Sequence, residues 1–96
     1  MNETALTIAE QVREGLQGFT ATERKAAHVL LATYPLAGLE PVAEFAARAG
    51  VSAPTILRFV ARIGFQSYPD FQKRLREELE AQLKSPLMKA NFDGSP

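Results

Sequence analysis

The chain has 96 residues, no cysteine, a single histidine and 11 acidic against 11 basic side chains. This composition excludes a disulfide framework and cysteine-based zinc sites, and the length fits one domain. No apolar run approaches the ~18 residues of a membrane span, and no signal-peptide pattern opens the chain, so we expect a soluble, cytoplasmic protein without membrane contact.

Two helices are predicted in the first third of the chain. Apolar residues recur at helical spacing within residues 4–18 and predict an amphipathic helix, whose apolar face could serve either the core or a partner surface. Thr20-Ala21-Thr22-Glu23 then forms a capping box, in which the threonine and glutamate side chains each accept a backbone amide. It predicts the start of a second helix, which Pro35 ends, and residues 36–40 are predicted to form a loop.

Residues 41–63 predict two short helices joined by a tight turn. Gly50 lies where the first of them must end, because glycine adopts a left-handed backbone without steric cost. Ser52 is placed to cap the start of the second helix. Gly64 ends that helix in the same manner as Gly50 ends the first. In that helix Ile56, Phe59, Val60 and Ile63 share one face. This pattern is typical of a helix-turn-helix.

The opposite face of the second helix is the one that would meet a DNA groove. It carries Pro54, Thr55, Arg58, Ala61 and Arg62. Residues 51–76 contain five basic side chains against one acidic side chain, although the whole chain is neutral. The positive charge therefore collects where the phosphates of a bound duplex would lie.

A last helix begins at Ser67-Tyr68-Pro69-Asp70, where Ser67 is the predicted cap. Its predicted inward stripe is Phe71, Leu75, Leu79 and Leu83 (or Gln82). On its outer side three pairs at i and i+4 are expected, and they compete with DNA contacts: Lys73–Glu77, Arg74–Glu78 and Arg76–Glu80. The predicted fold is all-α, a five-helix bundle that contains a helix-turn-helix.

Several runs resemble the N-terminal domain of RpiR-type transcriptional regulators. The first run is T-A-T-E-R-K-A-A-H-V-L-L at 20–31. The second extends from V-A-E-F at 42–45 to Y-P-D-F at 68–71, and its specific marks are A-G-V-S at 49–52, R-F at 58–59 and G-F at 64–65. The resemblance implies a five-helix DNA-binding domain that regulates sugar-metabolism genes as a homodimer on a pseudo-palindromic operator. It implies a domain at 1–84 and a linker or tail at 85–96 toward an absent C-terminal sugar isomerase domain, which would bind a phosphosugar effector. Pro41 departs from the polar cap that such sequences often have.

The predicted interface with double-stranded DNA has two parts. Ser52, Pro54, Thr55 and Arg58 are expected nearest the base edges, with Arg58 either bidentate to guanine or clamped on a phosphate. Phosphate contacts are expected from Arg62, Ser67, Tyr68 and Lys73. Replacing Arg58 and Arg62 together by alanine is expected to abolish DNA binding and to leave helicity unchanged.

The second hypothesis is a helix-turn-helix module for protein interaction or dimerisation that does not bind DNA, which the neutral net charge favours. We expect no enzyme, cofactor or metal site, because His28 is isolated and no paired inward carboxylates or glycine-rich phosphate loop accompany it. The operator, the effector and the choice between activation and repression stay open.

Overall fold

The computed structural model describes residues 6–84, and every regular element in this range is helical. These described residues form six α-helices and a 3-10 turn at Leu16–Gly18: α1 Ile8–Gly15, α2 Ala21–Ala32, α3 Leu36–Leu39, α4 Val42–Ala49, α5 Ala53–Arg62 and α6 Tyr68–Leu83. The all-α class is confirmed, and the predicted count of five helices is wrong. The linker predicted at 85–96 lies outside the described residues. None of the described helices is long and apolar enough to cross a membrane.

The additional helix is α3, a single turn in the predicted loop at 36–40. The Gly38 amide donates to the Pro35 carbonyl at 3.1 Å, and the Glu40 amide donates to the Ala37 carbonyl at 3.3 Å. A four-residue helix is too short to show apolar periodicity, and a glycine within it disfavours helix formation. α3 forms because Ala37 and Gly38 are buried where it packs against α2, α4 and α6.

The first helix is shorter than the predicted span of 4–18. A capping box that the sequence reading missed starts it: Thr7 Oγ1 accepts the Glu10 amide at 3.1 Å, and the Glu10 carboxylate accepts the Thr7 amide at 2.8 Å. α1 ends at Gly15, after which the chain tightens into the 3-10 turn. Ile8 and Val12 are fully buried, so the apolar face of α1 belongs to the core.

The predicted caps of the later helices are confirmed. Thr20 Oγ1 accepts the Glu23 amide at 3.2 Å, and Glu23 Oε1 accepts the Thr20 amide at 3.0 Å. Ser52 and Ser67 each accept the amide three residues further on, at 3.2 Å. Pro41 precedes α4 without a side-chain cap, so that helix begins at Val42. With the capping box at Thr7, four helix starts (α1, α2, α5 and α6) are thus determined by local sequence.

The ends of α4 and α5 share one geometry, as predicted. Gly50 has φ 71° and Gly64 has φ 102°, both in the region that side chains other than glycine rarely adopt. In each turn the amide after the glycine donates to a carbonyl five residues back at 3.0 Å: Val51 to Ala46 and Phe65 to Val60. These are Schellman motifs, which satisfy the last carbonyls of each helix and redirect the chain.

Phe59 of α5 lies at the centre of the core and is fully buried. Its ring makes edge-on contacts with Phe19 (5.4 Å between centroids) and Phe45 (6.3 Å). Ile56 and Val60 beside it are also buried. Because these residues come from α5, α4 and the turn before α2, one aromatic cluster joins three parts of the chain.

The start of α6 holds α3 in place. The Tyr68 hydroxyl donates to the Glu40 carbonyl at 2.6 Å, and the Gln72 amide donates to the same carbonyl at 2.9 Å. Both groups also reach the Gly38 carbonyl, at 3.3 Å and 3.2 Å. Burial raises the pKa of Tyr68 to about 12. The hydroxyl is therefore a neutral donor that satisfies carbonyls at the end of a one-turn helix.

Glu78 joins α6 to α1 and to the turn that follows α2. Its carboxylate accepts the Ile8 amide at 3.0 Å and the Tyr34 hydroxyl at 2.7 Å, and Arg74 Nε lies 3.1 Å away. Desolvation, together with the hydrogen bond to Glu78, raises the pKa of Tyr34 above its ordinary range. The predicted pair Arg74–Glu78 is confirmed, and it is one part of a larger polar cluster.

The burial of Phe71 and Leu75 in the predicted inward stripe of α6 is confirmed, but two of its predicted ion pairs and the end of that stripe are wrong. Within residues 6–84, neither Lys73 nor Arg76 forms its predicted ion pair, because the structure places no carboxylate within 4 Å of either side chain. Leu83 is 58% exposed, and the inward stripe ends with the half-buried Leu79. Counting partners within residues 6–84 only, the outer side of α6 therefore keeps two cations without a carboxylate, Lys73 and Arg76.

Gly38→Ala is predicted to destabilise the domain. The added Cβ would lie 2.5 Å from Leu75 Cδ1 and 3.1 Å from Leu30 Cδ1, and both leucines are fully buried. Overpacking of this kind costs about 1–3 kcal/mol, which outweighs the helix propensity gained. We expect the midpoint of thermal unfolding, followed by circular dichroism, to fall by several degrees.

Gly18→Ala is the matched control, because a Cβ at Gly18 meets no atom within 4 Å. Its melting temperature should stay the same or rise. A Gly38→Ala variant at least as stable as the parent protein would contradict the close approach of α3 to α6.

Candidate nucleic-acid interface

α4, the turn at 50–52 and α5 form the predicted helix-turn-helix. α5 packs against α2 and α4 and buries Ile56, Phe59 and Val60. The opposite side of α5 is open to solvent along its whole length. The exposed residues there, with the cap, are Ser52, Pro54, Leu57, Arg58, Ala61 and Arg62. The structure thus brings together most of the residues predicted to contact bases, and it adds Leu57.

Ser52 and Pro54 lie at the exposed start of α5. The Ser52 hydroxyl accepts the Thr55 amide, as a cap does, and lies 3.0 Å from Thr55 Oγ1. Pro54 occupies the first turn, where its missing amide costs no hydrogen bond. Both residues have the exposure that a base contact requires, and that contact stays a prediction.

Thr55 does not lie on the open face as predicted. Its side chain is only 4% exposed. Its hydroxyl contacts the Ser52 hydroxyl and accepts a hydrogen bond from Arg58 Nη2 at 3.2 Å. A helical wheel places Thr55 at the border of the two faces, and the neighbouring helices cover it. We therefore leave Thr55 out of the base contacts and assign it the positioning of Arg58.

Arg58 is the exposed cation in the middle of α5. One of its five N–H donors binds Thr55, and the side chain is otherwise exposed. Within residues 6–84 no carboxylate lies within 4 Å of it. The guanidinium is therefore held by Thr55 at one terminal nitrogen, Nη2, and its other N–H donors suit a guanine edge or a phosphate.

Arg62 has a partner that the sequence reading did not identify. Its Nε lies 2.9 Å from Glu23 Oε1, and the side chains are 49% and 2% exposed respectively. The same Glu23 oxygen accepts the Thr20 amide. Arg62 thus compensates a buried carboxylate and ties the end of α5 to the start of α2. The sequence around Glu23 predicts its role in the capping box, but contains no pattern that predicts the ion pair with the distant Arg62.

The three candidate residues near α6 differ in exposure. Lys73 is exposed, and Ser67 is half-buried with its hydroxyl accepting the Asp70 amide. Tyr68 is only 8% exposed, and its hydroxyl donates to the carbonyls described above. Its predicted phosphate contact does not fit this placement, so the candidates that stay are Lys73 and Ser67.

Ion pairing divides the basic residues into two groups. Arg48 of α4 makes a bidentate pair with Glu40, at 2.6 Å and 2.7 Å. The hydrogen bonds from Arg48 lower the pKa of Glu40, and those to Glu40 raise the pKa of Arg48. Arg62 and Arg74 are paired as described. In the described part of the chain, Arg58, Lys73 and Arg76 are the cations of residues 51–76 without a carboxylate partner.

Other kinds of site find little support in residues 6–84. No group of three or more histidine, cysteine, aspartate or glutamate side chains there could hold a metal ion. His28 is exposed on α2. A cleft between α1, α6 and the turn after α2 contains Glu78, which is bound by Tyr34 and Arg74. The open face of α5 is the candidate site.

This arrangement defines a helix-turn-helix domain: two short helices joined by a glycine turn, the second with one buried and one open face. Comparison with known families identifies the same kind of domain. The helix-turn-helix domain of the rpiR family matches residues 6–82, and the chain belongs to that family.

Two curated relatives resemble the chain over the same region. One is the HTH-type transcriptional regulator HexR of Escherichia coli strain K12, which is 32% identical over 74 residues. The other is the HTH-type transcriptional regulator HexR of Pseudomonas aeruginosa, 33% identical over 72 residues. The alignments cover 77% and 75% of this chain but 26% and 25% of the relatives. The chain thus spans about a quarter of the length of these proteins.

Arg62→Ala is predicted to lower the stability of the domain, because it leaves the buried Glu23 carboxylate without its cation. The expected loss is about 1–3 kcal/mol in free energy of unfolding, reduced from a fully buried pair by the exposure of Arg62. Urea unfolding followed by circular dichroism measures it. The double replacement of Arg58 and Arg62 therefore removes more than DNA contacts.

A double-mutant cycle with Glu23→Gln isolates the ion pair, since glutamine keeps an oxygen for the Thr20 amide. In that background Arg62→Ala should cost much less. Arg76→Ala serves as control, because it removes an arginine of α6 that pairs with no carboxylate of residues 6–84. Equal costs for Arg62→Ala and Arg76→Ala would show that the pair contributes nothing.

Proposed function

We propose that this domain binds double-stranded DNA as part of a transcriptional regulator, with α5 in the major groove. The observation that carries the proposal is the division of α5 into a buried face and an open face centred on Arg58. A recognition helix needs this division, because one side must pack on the scaffold while the other reaches base edges. Membership in the rpiR helix-turn-helix family and the two transcriptional regulators support it.

The contacts fall into two classes. Ser52, Pro54 and Arg58 are placed for base edges at the start and middle of α5. Lys73, and the start of α6 at Ser67, are the phosphate candidates, because exposed cations and helix N-termini both bind anions. Arg62 is half-exposed and already bound to Glu23, so its contribution to a phosphate contact is secondary.

We further propose a role in regulating genes of phosphosugar metabolism, with the domain acting as a homodimer on a pseudo-palindromic operator. The family resemblance supports this role. The homodimer is supported by the weak binding expected of one domain that neutralises few phosphates. By the same family resemblance, a phosphosugar effector would act through a C-terminal sugar isomerase domain outside this chain.

The alternative of a protein-interaction module has one structural observation in its favour. Leu36 and Leu83 are 64% and 58% exposed and follow Pro35 and Gln82, which line the cleft beside α1. Exposed apolar side chains beside a cleft are suited to contact with another protein. This cleft is lined by no residue of α5, so binding there and DNA binding by α5 are compatible.

Arg58→Ala is predicted to weaken DNA binding by about 5- to 150-fold, the range for loss of a bidentate base contact. The measurement is fluorescence anisotropy with a duplex selected from a random library, at two salt concentrations. Arg13→Ala removes the same charge from an exposed position on α1 and should change affinity far less.

Arg58→Lys separates the two roles of Arg58, because lysine keeps the charge but lacks the planar fork. Near-parental affinity with lysine indicates a phosphate contact, and a loss like that of alanine indicates guanine recognition. If the parental protein binds no duplex at low salt, or if Arg58→Ala and Arg13→Ala are equivalent, the groove assignment fails.

A further inference from the structure

Leu57 is the large apolar side chain of α5 that does not enter the core. It is 46% exposed, whereas Ile56, Phe59 and Val60 are at most 1% exposed. The described residues contain four exposed large hydrophobic side chains, namely Leu6, Leu36, Leu57 and Leu83. Of these, Leu57 is the one that lies on the open face of the helix-turn-helix.

Leu57 belongs to an apolar stripe. At 3.6 residues per turn, Pro54 lies one turn before it and Ala61 one turn after it on the same side of α5. Both are exposed. None of the three side chains has a hydrogen-bonding group. Arg58 and Arg62 lie along the other edge of the open face, so α5 presents an apolar half and a cationic half.

An apolar stripe in a major groove has a restricted choice of partners. Base edges there present hydrogen-bond donors and acceptors, and covering them with a leucine leaves those groups without partners at a cost. The exception is the C5-methyl group of thymine, the apolar feature that a base pair displays in the major groove. The stripe therefore favours thymine over the other bases.

We propose that Leu57, supported by Ala61, contacts thymine methyl groups and is a specificity-determining residue. The proposal rests on the proposed DNA-binding function and deepens it. Arg58 follows Leu57 directly, and its Nη2 donates a hydrogen bond to Thr55 Oγ1 at 3.2 Å. Adjacent Cα atoms are about 3.8 Å apart, close to the ~3.4 Å rise per base pair. The thymine therefore lies within about two base pairs of the contact made by Arg58.

The test replaces single thymines by deoxyuridine, which pairs like thymine but lacks the methyl group. The probe is the duplex selected with the parental protein, and each thymine is replaced in turn. At one or two positions in each half-site, we expect the affinity of the parental protein to fall by about 3- to 5-fold, the effect of losing one buried methyl contact.

Leu57→Ala should lose this sensitivity, so that thymine and deoxyuridine duplexes bind equally at those positions. Leu83→Ala is the matched control, because Leu83 is a similarly exposed leucine on α6. It should keep the full sensitivity to deoxyuridine. Circular dichroism of both variants shows that the fold is retained, as expected for changes at exposed positions.

Two results would overturn the inference while leaving the proposed function intact. One is binding that no deoxyuridine replacement weakens. The other is a sensitivity that Leu57→Ala retains, in which case Leu57 serves a different contact, such as a protein partner. If the parental protein binds no duplex at all, the proposed function itself fails and the thymine contact fails with it.

Discussion

The insertion of Phe59 between Phe19 and Phe45 is the contact on which the candidate site depends. Burial of a phenylalanine contributes about 1.5–3 kcal/mol, and edge-on aromatic pairs add about 0.5–1.5 kcal/mol each. The contact also determines the rotation of α5 about its own axis. With Phe59 at the centre of the core, Arg58 and Ala61 must point outward, since they lie on the opposite side of the helix. The identity of the open face thus follows from the core.

Polar contacts between distant segments complete the scaffold around this core. Glu23 and Arg62 join α2 to α5, Glu78 joins α6 to α1 and to Tyr34, and the start of α6 binds the carbonyls of α3. Each contact satisfies a group that burial would otherwise leave without a partner. In this frame the end of α5 is tied to the start of α2 through Arg62 and Glu23.

Local signals account for the part of the fold that the sequence predicted. Thr20, Ser52 and Ser67 cap helices because a hydroxyl and an amide three residues later are close in the chain. Gly50 and Gly64 end helices through a backbone preference of a single residue. The buried stripe of α5 follows from its periodicity. These features need no knowledge of the tertiary structure, and they were sufficient to locate the helix-turn-helix.

The missed features depend on contacts between distant residues. α3 exists because Gly38 permits close approach to Leu75, a residue far along the chain. Thr55 lies at the border of two faces, and only the position of the neighbouring helices decides that it is buried. The partner of Arg62 is separated from it by 39 positions. A single sequence contains no signal for such contacts. They changed the roles of three predicted site residues, Thr55, Arg62 and Tyr68.

The orientation of α5 on DNA can be tested directly because the chain has no cysteine. Ala61→Cys, on the open face of α5, and Gln82→Cys, exposed in the last turn of α6, would each carry an iron–EDTA group that cleaves nearby DNA. With a selected duplex, our account predicts strong cleavage centred on the recognition site from position 61 and little from position 82. Binding that gives no cleavage from position 61, or stronger cleavage from position 82, would contradict the placement of α5 in the groove.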